Sequence, residues 1–496
     1  MCHQQSAPLP FRLGGEVMRC PQALLVALLT HAHTAFAAPL WQRPAGEPPW
    51  AAGRATQLAA GDDGAAHRFV VTTRSDASLD AVHAACNHTG AASTGHACAG
   101  LLSGLCRRVF TSAVTGFAGS FTPRQLRQMH ACAPDVLKLV EHDAPVTVMA
   151  APTVALPTLG APTATLWSLD RIDQAQLPLD GGFATSQLAG QGVHVYVVDS
   201  GVRGSHTEFA SPPSGAGPTW RVTADADFTA SPLPFGPGVQ PAQDCDGHGT
   251  HVAGTVAGSR VGIARGARVH SVRVLDCTGS GSVSDVVAGI DYVAKHAQLP
   301  AVTVLSLGVP AGDWSVALET AVRNLVVNAG VFVTAAAGNS QGDACSLVPA
   351  SVPQVFAVGG SDLPAPSRVP GAKPAQSSDI LYSWTDTGSC LALFAPGVDI
   401  ISACGGPNRC GTVSDTAYAV ASGTSMAAPH VAGAAAVYLS AHPTASPAQV
   451  RAALLSRATR GTIASSQTML PGTPNALLLY SWALDAAAGT AAVQAR

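Results

Sequence analysis

Four short stretches carry residue types suited to acyl transfer. Ser422–Gly433 reads Ser-Gly-Thr-Ser-Met-Ala-Ala-Pro-His-Val-Ala-Gly, a tight turn at Gly423 feeding a helix. Ser425 falls where free backbone N–H groups and the positive end of the helix dipole favour negative charge. A serine there either caps the helix or becomes an alkoxide that attacks a carbonyl. Pro429 is expected inside the first helical turn, where its missing N–H is harmless. A second stretch, Val193–Val198, is a buried strand ending in Asp199-Ser200-Gly201, so Asp199 either holds a partner or starts a turn. The third runs Asp244-Cys245-Asp246-Gly247-His248-Gly249-Thr250-His251. His248 and His251 could form a metal pair with Asp246 or Cys245. The glycines around His248 instead bring it to the entry of a helix, a position that suits a general base. In the fourth, Ala336-Ala337-Gly338-Asn339 ends a strand, and Asn339 either donates to a developing oxyanion or occupies a turn.

The elements around these residues alternate. Strands are predicted at Val193–Val198, Val269–Leu275, Val302–Leu307 and Val331–Ala336, with helices over Val283–His296 and Ala317–Val327. Val431, Ala434, Ala435 and Leu439 recur at helical spacing and predict a buried helix after Ser425. This alternation implies an α/β fold, a mostly parallel sheet with helices on both faces, whose sites lie at the carboxyl ends of strands. A smaller unit precedes it. A strand over His67–Thr72, a helix over Leu79–Cys86, a strand and a turn at Gly116 within Val109–Phe117, a helix from Thr122 to Cys132, a strand over Val136–Val140 and an extended piece Val146–Met149 give a β-α-β-β-α-β order. That is the order of a small α+β ferredoxin-like unit.

Composition narrows the function classes. Charged residues make up 11% and the net charge is −3, which gives no electrostatic case for nucleic acid or anionic membranes. Arg12 and Arg19 precede the apolar run Ala23–Leu29, and Ala35-Phe36-Ala37 supplies small residues for signal cleavage after Ala37. No later segment has an uninterrupted apolar span, so the expectation is a soluble, secreted protein with no membrane partner. Of twelve cysteines, Cys2 and Cys20 leave with the signal. Four (Cys86, Cys98, Cys106, Cys132) and six (Cys245, Cys277, Cys345, Cys390, Cys404, Cys410) divide evenly between the two units, as expected if each closes its own disulfides. The irregular spacings disfavour zinc. Asn87-His88-Thr89 is a candidate glycosylation acceptor. The expected organisation is a signal peptide over 1–37, a linker over 38–65, the small unit over 66–149, a linker over 150–165, the large unit over 166–482 and a tail over 483–496.

The chain order Asp199…His248…Asn339…Ser425 is the subtilisin order of the Ser-His-Asp triad. On Asp199-Ser200-Gly201, His248-Gly249-Thr250-His251 and Gly423-Thr424-Ser425-Met426-Ala427-Ala428-Pro429-His430, the chain resembles the subtilases, in particular the proteinase K branch. The resemblance implies a serine endopeptidase made as a zymogen. Ser425 would be the nucleophile, His248 the base, Asp199 its orienting partner and Asn339 an oxyanion donor. It implies substrate strands paired with Gly279-Ser280-Gly281 and Ser306-Leu307-Gly308. It also implies a primary pocket along Ala336, Ala337 and Gly338, which favours apolar residues before the cut. The small unit resembles the family's inhibitory propeptide, cut near Met149. Cys245 with Cys277, Cys345 with Cys390, and Cys404 with Cys410 resemble disulfide pairs of a secreted convertase in this branch. That convertase cuts itself and then acts by binding, which gives the alternative reading of a binding protein that keeps its propeptide. The family's strong calcium site uses an acid where this chain has Ala392, with backbone ligands at Pro353 and Val355 left to it, so no metal or other cofactor is expected, calcium being the alternative. Expected partners are protein or peptide substrates and the chain's own propeptide, the protein being a monomer. A vacuolar or lysosome-like compartment is the alternative to the exterior.

Overall fold

Strands composed almost wholly of valine and other apolar residues need cover on both faces, and the large unit provides it. The computed structural model describes residues 65–74, 83, 85–86, 101–132, 136–149, 161–185, 189–210, 220–229, 243–309, 313–371, 378–464 and 469–480. The signal segment, most of both linkers, most of the Leu79–Cys86 helix, the Asn87 acceptor and the tail lie outside them.

The first unit contributes β1 (His67–Thr73), β2 (Cys106–Phe110), β3 (Gly116–Phe121), α1 (Pro123–Cys132) and β4 (Leu137–His142). Its sheet is antiparallel in the order β2-β3-β1-β4. The stretch expected as one strand with a turn at Gly116 is two strands, and Gly116 opens the second. Thr122 caps α1: its hydroxyl accepts from the Gln125 N–H at 3.2 Å, and the Gln125 side chain accepts in return from the Thr122 N–H at 2.9 Å. Cys86 and Cys106 form a disulfide within this unit.

The chain continues through β5 (Pro145–Val148) and α2 (Trp167–Ile172) into the large sheet. Its strands include β6 (His194–Asp199), β7 (Val222–Asp227), β8 (Arg268–Arg273), β10 (Ala301–Leu305), β12 (Phe332–Ala336), β13 (Phe356–Asp362) and β15 (Leu391–Pro396). Across the sheet they run β15-β13-β12-β10-β6-β8-β7, each pair parallel. On one face pack α3 (His248–Ala257) and α7 (Thr424–Ala441), with Val252, Val256, Met426, Val431 and Leu439 in the core. On the other lie α4 (Val283–His296) and α5 (Val316–Val327), with Val286, Ile290, Leu318 and Leu325 buried. Val70, Phe110, Ala113 and Val146 of the N-terminal part join that second core. Two short strands, β9 (Ser280–Ser282) and β11 (Leu307–Gly308), stand apart from the large sheet and pair with β5 from either side. The expected strand Val302–Leu307 therefore breaks at Ser306, because its last residues turn to another partner.

Candidate active site

Asp199 is the last residue of β6 and is fully buried. His248 opens α3 after Gly247, whose φ of +112° puts it in the left-handed region. Their side chains meet, with Nδ1 of His248 2.8 Å from Asp199 Oδ1. Nε2 of His248 is buried with no hydrogen-bond partner among the described residues. His251 is turned elsewhere. Its Nε2 lies 2.9 Å from the Ile400 carbonyl, and burial pushes its imidazole down to about 3. The two histidines thus do not converge on a shared ligand.

Asp244 positions this corner. Its Oδ1 accepts from Ser200 Oγ, Asp246 N and Gly247 N at 2.7–3.0 Å. Its Oδ2 accepts from Thr250 N and Thr250 Oγ1 at 2.9 and 2.6 Å. Burial, with neighbouring Asp246, raises its carboxyl to about 6. Sequence reading took this segment for its histidines and missed Asp244. The signal was an acid three residues ahead of Gly-x-Gly-Thr, a set of donors that must be gathered at a helix start.

Ser425 lies at the second position of α7, after Gly423 at φ +147°. Its Oγ donates to the Ser306 carbonyl at 2.9 Å. Pro429, expected in the first turn, sits deeper, inside the helix. The Ser425 carbonyl would otherwise bond to the N–H of residue 429. Ser306 Oγ replaces that donor at 2.9 Å, so the helix keeps a proline without an orphaned carbonyl. Asn339 is fixed by its own acceptor, the side-chain oxygen taking the Thr424 N–H at 2.9 Å.

Between these groups runs β5. Val146 pairs with Gly281, Thr147 with Ser280 and Gly308, and Val148 with Leu307. Val148 N donates to the Gly279 carbonyl and Met149 N to the Ser306 carbonyl, both at 3.1 Å. The Met149 carbonyl accepts from Asn339 Nδ2 at 2.5 Å and from Ser425 N at 3.1 Å. Both expected backbone edges are thus brought together with Asn339 and Ser425 around one strand. Met149 packs against Leu347, Ala350 and Ala357. Gly308 lies against its end, since a Cβ there would come 2.8 Å from Met149 Cε. Ala336, Ala337 and Gly338 lead into Asn339, and the first two are fully buried. Leu347 was not read from the sequence, because a leucine in a loop carries no positional signal.

Three disulfides join the expected pairs: Cys245–Cys277, Cys345–Cys390 and Cys404–Cys410. The residues at the expected calcium position do not fit that ion. Ala392 is buried among apolar neighbours, and the Val355 carbonyl accepts from Arg451 Nη1 at 2.9 Å. A guanidinium therefore occupies one expected ligand, and among the described residues no group of three or more His, Cys, Asp or Glu could hold a metal ion.

A parallel sheet ending in an Asp-His pair, with a serine on a helix start and an amide aimed at a carbonyl, defines a serine-type peptide hydrolase. The Subtilase family matches residues 190–473, and the chain belongs to it. It is 41% identical over 374 residues to the extracellular serine proteinase of Thermus sp. (strain Rt41A), covering 75% of this chain and 77% of that one. It is 38% identical over 379 residues to alkaline serine exoprotease A of Vibrio alginolyticus, covering 76% of this chain and 61% of that one. A solved structure of a cold adapted subtilisin-like serine proteinase matches at TM-score 0.52 and 40% identity, covering 64% of this chain and 99% of the other. The protein is a subtilisin-like serine endopeptidase.

Proposed function

We propose that the chain is a secreted zymogen whose residues 66–149 inhibit residues 166–482 until Asp199, His248 and Ser425 cut after Met149. One observation carries this reading: the Met149 carbonyl is gripped by Asn339 Nδ2 and Ser425 N at the end of a strand paired on both sides. Rotation of the Ser425 side chain away from Ser306 directs Oγ at the Met149 carbonyl carbon. Nε2 of His248 takes the hydroxyl proton, and Asp199 stabilises the imidazolium. The two donors hold the oxyanion. Collapse breaks the bond to Ala150, whose amine leaves with the proton from His248. Water then enters by the same base and releases the Met149 carboxylate from Ser425. The apolar contacts of Met149 support a preference for apolar residues before the cut in other substrates. Secretion is supported by the Ala23–Leu29 run with Ala37, and by the extracellular relative. No helix among the described residues is long and apolar enough to cross a membrane.

N-terminal sequencing of the processed protein tests this: a start at Ala150 is expected, with Ser425→Ala keeping residues 66–149 attached. Processing that is unchanged in Ser425→Ala would overturn it. The shared core, together with Glu141 accepting from Ser315, Val316 and Ala317 and Asp143 accepting from Ser284, also favours a second reading, in which the cut propeptide stays bound and the protein acts by binding. Casein digestion by the purified, processed protein separates the two.

A further inference from the structure

The loop closed by the Cys404–Cys410 disulfide leans on the segment just before His248. Arg409 N donates to the Asp246 carbonyl at 2.8 Å, and Arg409 Nε to Asp246 Oδ1 at 2.6 Å. That same Oδ1 accepts from His248 N at 3.1 Å. Asn408 Nδ2 donates to the Cys277 carbonyl on the opposite side. The loop is therefore anchored on both flanks, and the direction of the arginine is set. Its far end reaches the substrate strand. A Cβ built on Gly279 would stand 3.1 Å from Arg409 Nη2 and 3.2 and 3.3 Å from the two Val148 methyls. Guanidinium and valine flank one small space, which only a glycine at 279 leaves open.

We propose that Arg409 is a specificity-determining residue, selecting an acidic side chain at the position second before the cut. This rests on the reading that substrates bind as β5 does. The backbone there is held on both edges, so the side chain replacing Val148 is aimed at the same space. The Arg409 side chain is only 16% exposed, and its Nη groups hold no hydrogen-bond partner among the described residues. A carboxylate entering that space gains a charge-assisted hydrogen bond, whereas an ammonium is repelled. Two acids are near. Asp246 engages Nε on the side away from the strand. Asp276 Oδ1 is committed to Thr278 N, Thr278 Oγ1 and Ser280 N of its own turn. Neither covers Nη2. Val148 offers Nη2 no acceptor, so the chain's own cut site is a neutral product rather than the preferred one.

The test uses the full chain, expressed and processed, with internally quenched peptides Val-Thr-X-Met-Ala in which X is Val, Gln, Glu or Lys. Wild type is expected to cut the Glu peptide with kcat/KM about tenfold above Gln and further above Lys, the gap narrowing in 1 M salt. Arg409→Gln is expected to flatten the Glu-to-Lys ratio, and Arg409→Glu to invert it. A ratio taken within one variant cancels differences in folded amount, and a mere brace of Asp246 would slow all four peptides alike. An equal Glu-to-Lys ratio in wild type, or the same ratio in wild type and Arg409→Gln, overturns the inference while cleavage of the Val peptide stands. Failure of wild type to cut any of the four removes the protease reading and this inference with it.

Discussion

The side-chain amide of Asn339 donates to the Met149 carbonyl at 2.5 Å across 190 residues of sequence. Its own oxygen is occupied by Thr424 N, so the amide cannot flip without losing both bonds. Asn339→Asp keeps the acceptor and removes the donor. Turnover on a peptide substrate is expected to fall by roughly 10²–10³ with little change in KM, because the lost bond strengthens only as charge develops. Precursor should persist on a gel while far-UV circular dichroism stays that of wild type.

Gly308 meets the end of the Met149 side chain. Gly308→Val adds bulk where a single Cβ already stands 2.8 Å from Met149 Cε. Cleavage after Met, Leu or Phe is expected to drop at least about tenfold, while cleavage after Ala is largely kept. A kcat/KM series over these residues checks this.

The catalytic motifs were legible because their chemistry constrains residue type: a serine at a helix start, a histidine between glycines, an asparagine ending a strand. Helix α4 was legible to the residue because its apolar period is clean and Ser282 caps it. What stayed hidden depends on partners distant in sequence. The break at Ser306 follows from β5 offering a second partner, and the depth of Pro429 is tolerated only because Ser306 supplies a hydroxyl. Leu347 and Arg409 have no local signature, since each is defined by what tertiary packing brings to it.

Glu141 tethers the first unit to the second. It accepts from Ser315 Oγ and from Val316 N and Ala317 N at the start of α5. Asp143 does the same at α4 through Ser284 N and Oγ, with Arg68 beside it. Burial outweighs these donors and raises the Glu141 carboxyl from 4.5 to about 7. A group whose pKa is raised in the complex contributes fully below its free value and loses that contribution as pH climbs to the bound value. Propeptide affinity is therefore expected to fall between about pH 4.5 and 7 and then level off, by roughly tenfold or more. Glu141→Gln should flatten this window. Inhibition of the processed enzyme by added propeptide, measured across that range, checks the slope.

Asp244 gathers five donors around the entry of α3. Asp244→Ala leaves them buried without an acceptor. The expected loss is about 3 kcal/mol of stability, together with a fall in kcat because the segment carrying His248 loosens. Urea unfolding of the inactivated processed enzyme gives the first, and peptide hydrolysis the second. Asp244→Asn, which keeps one oxygen, should fall between.

Stability in this chain is expected to lean on covalent ties rather than on calcium. The Cys345–Cys390 disulfide closes a 45-residue separation and holds the loop after Asn339 to the turn before β15. Ser340 N and Gly342 N in that loop both donate to Asp386 Oδ1 at 2.8 Å, so the disulfide and the carboxylate clamp the same turn. Replacing both cysteines by serine is expected to remove about 3–4 kcal/mol by restoring loop entropy to the unfolded chain. EDTA is expected to leave Tm nearly unchanged, because Arg451 already satisfies the Val355 carbonyl and Ala392 offers no charge. A sharp fall of Tm in EDTA, with little effect of the cysteine pair, would show that a bound cation carries the stability instead.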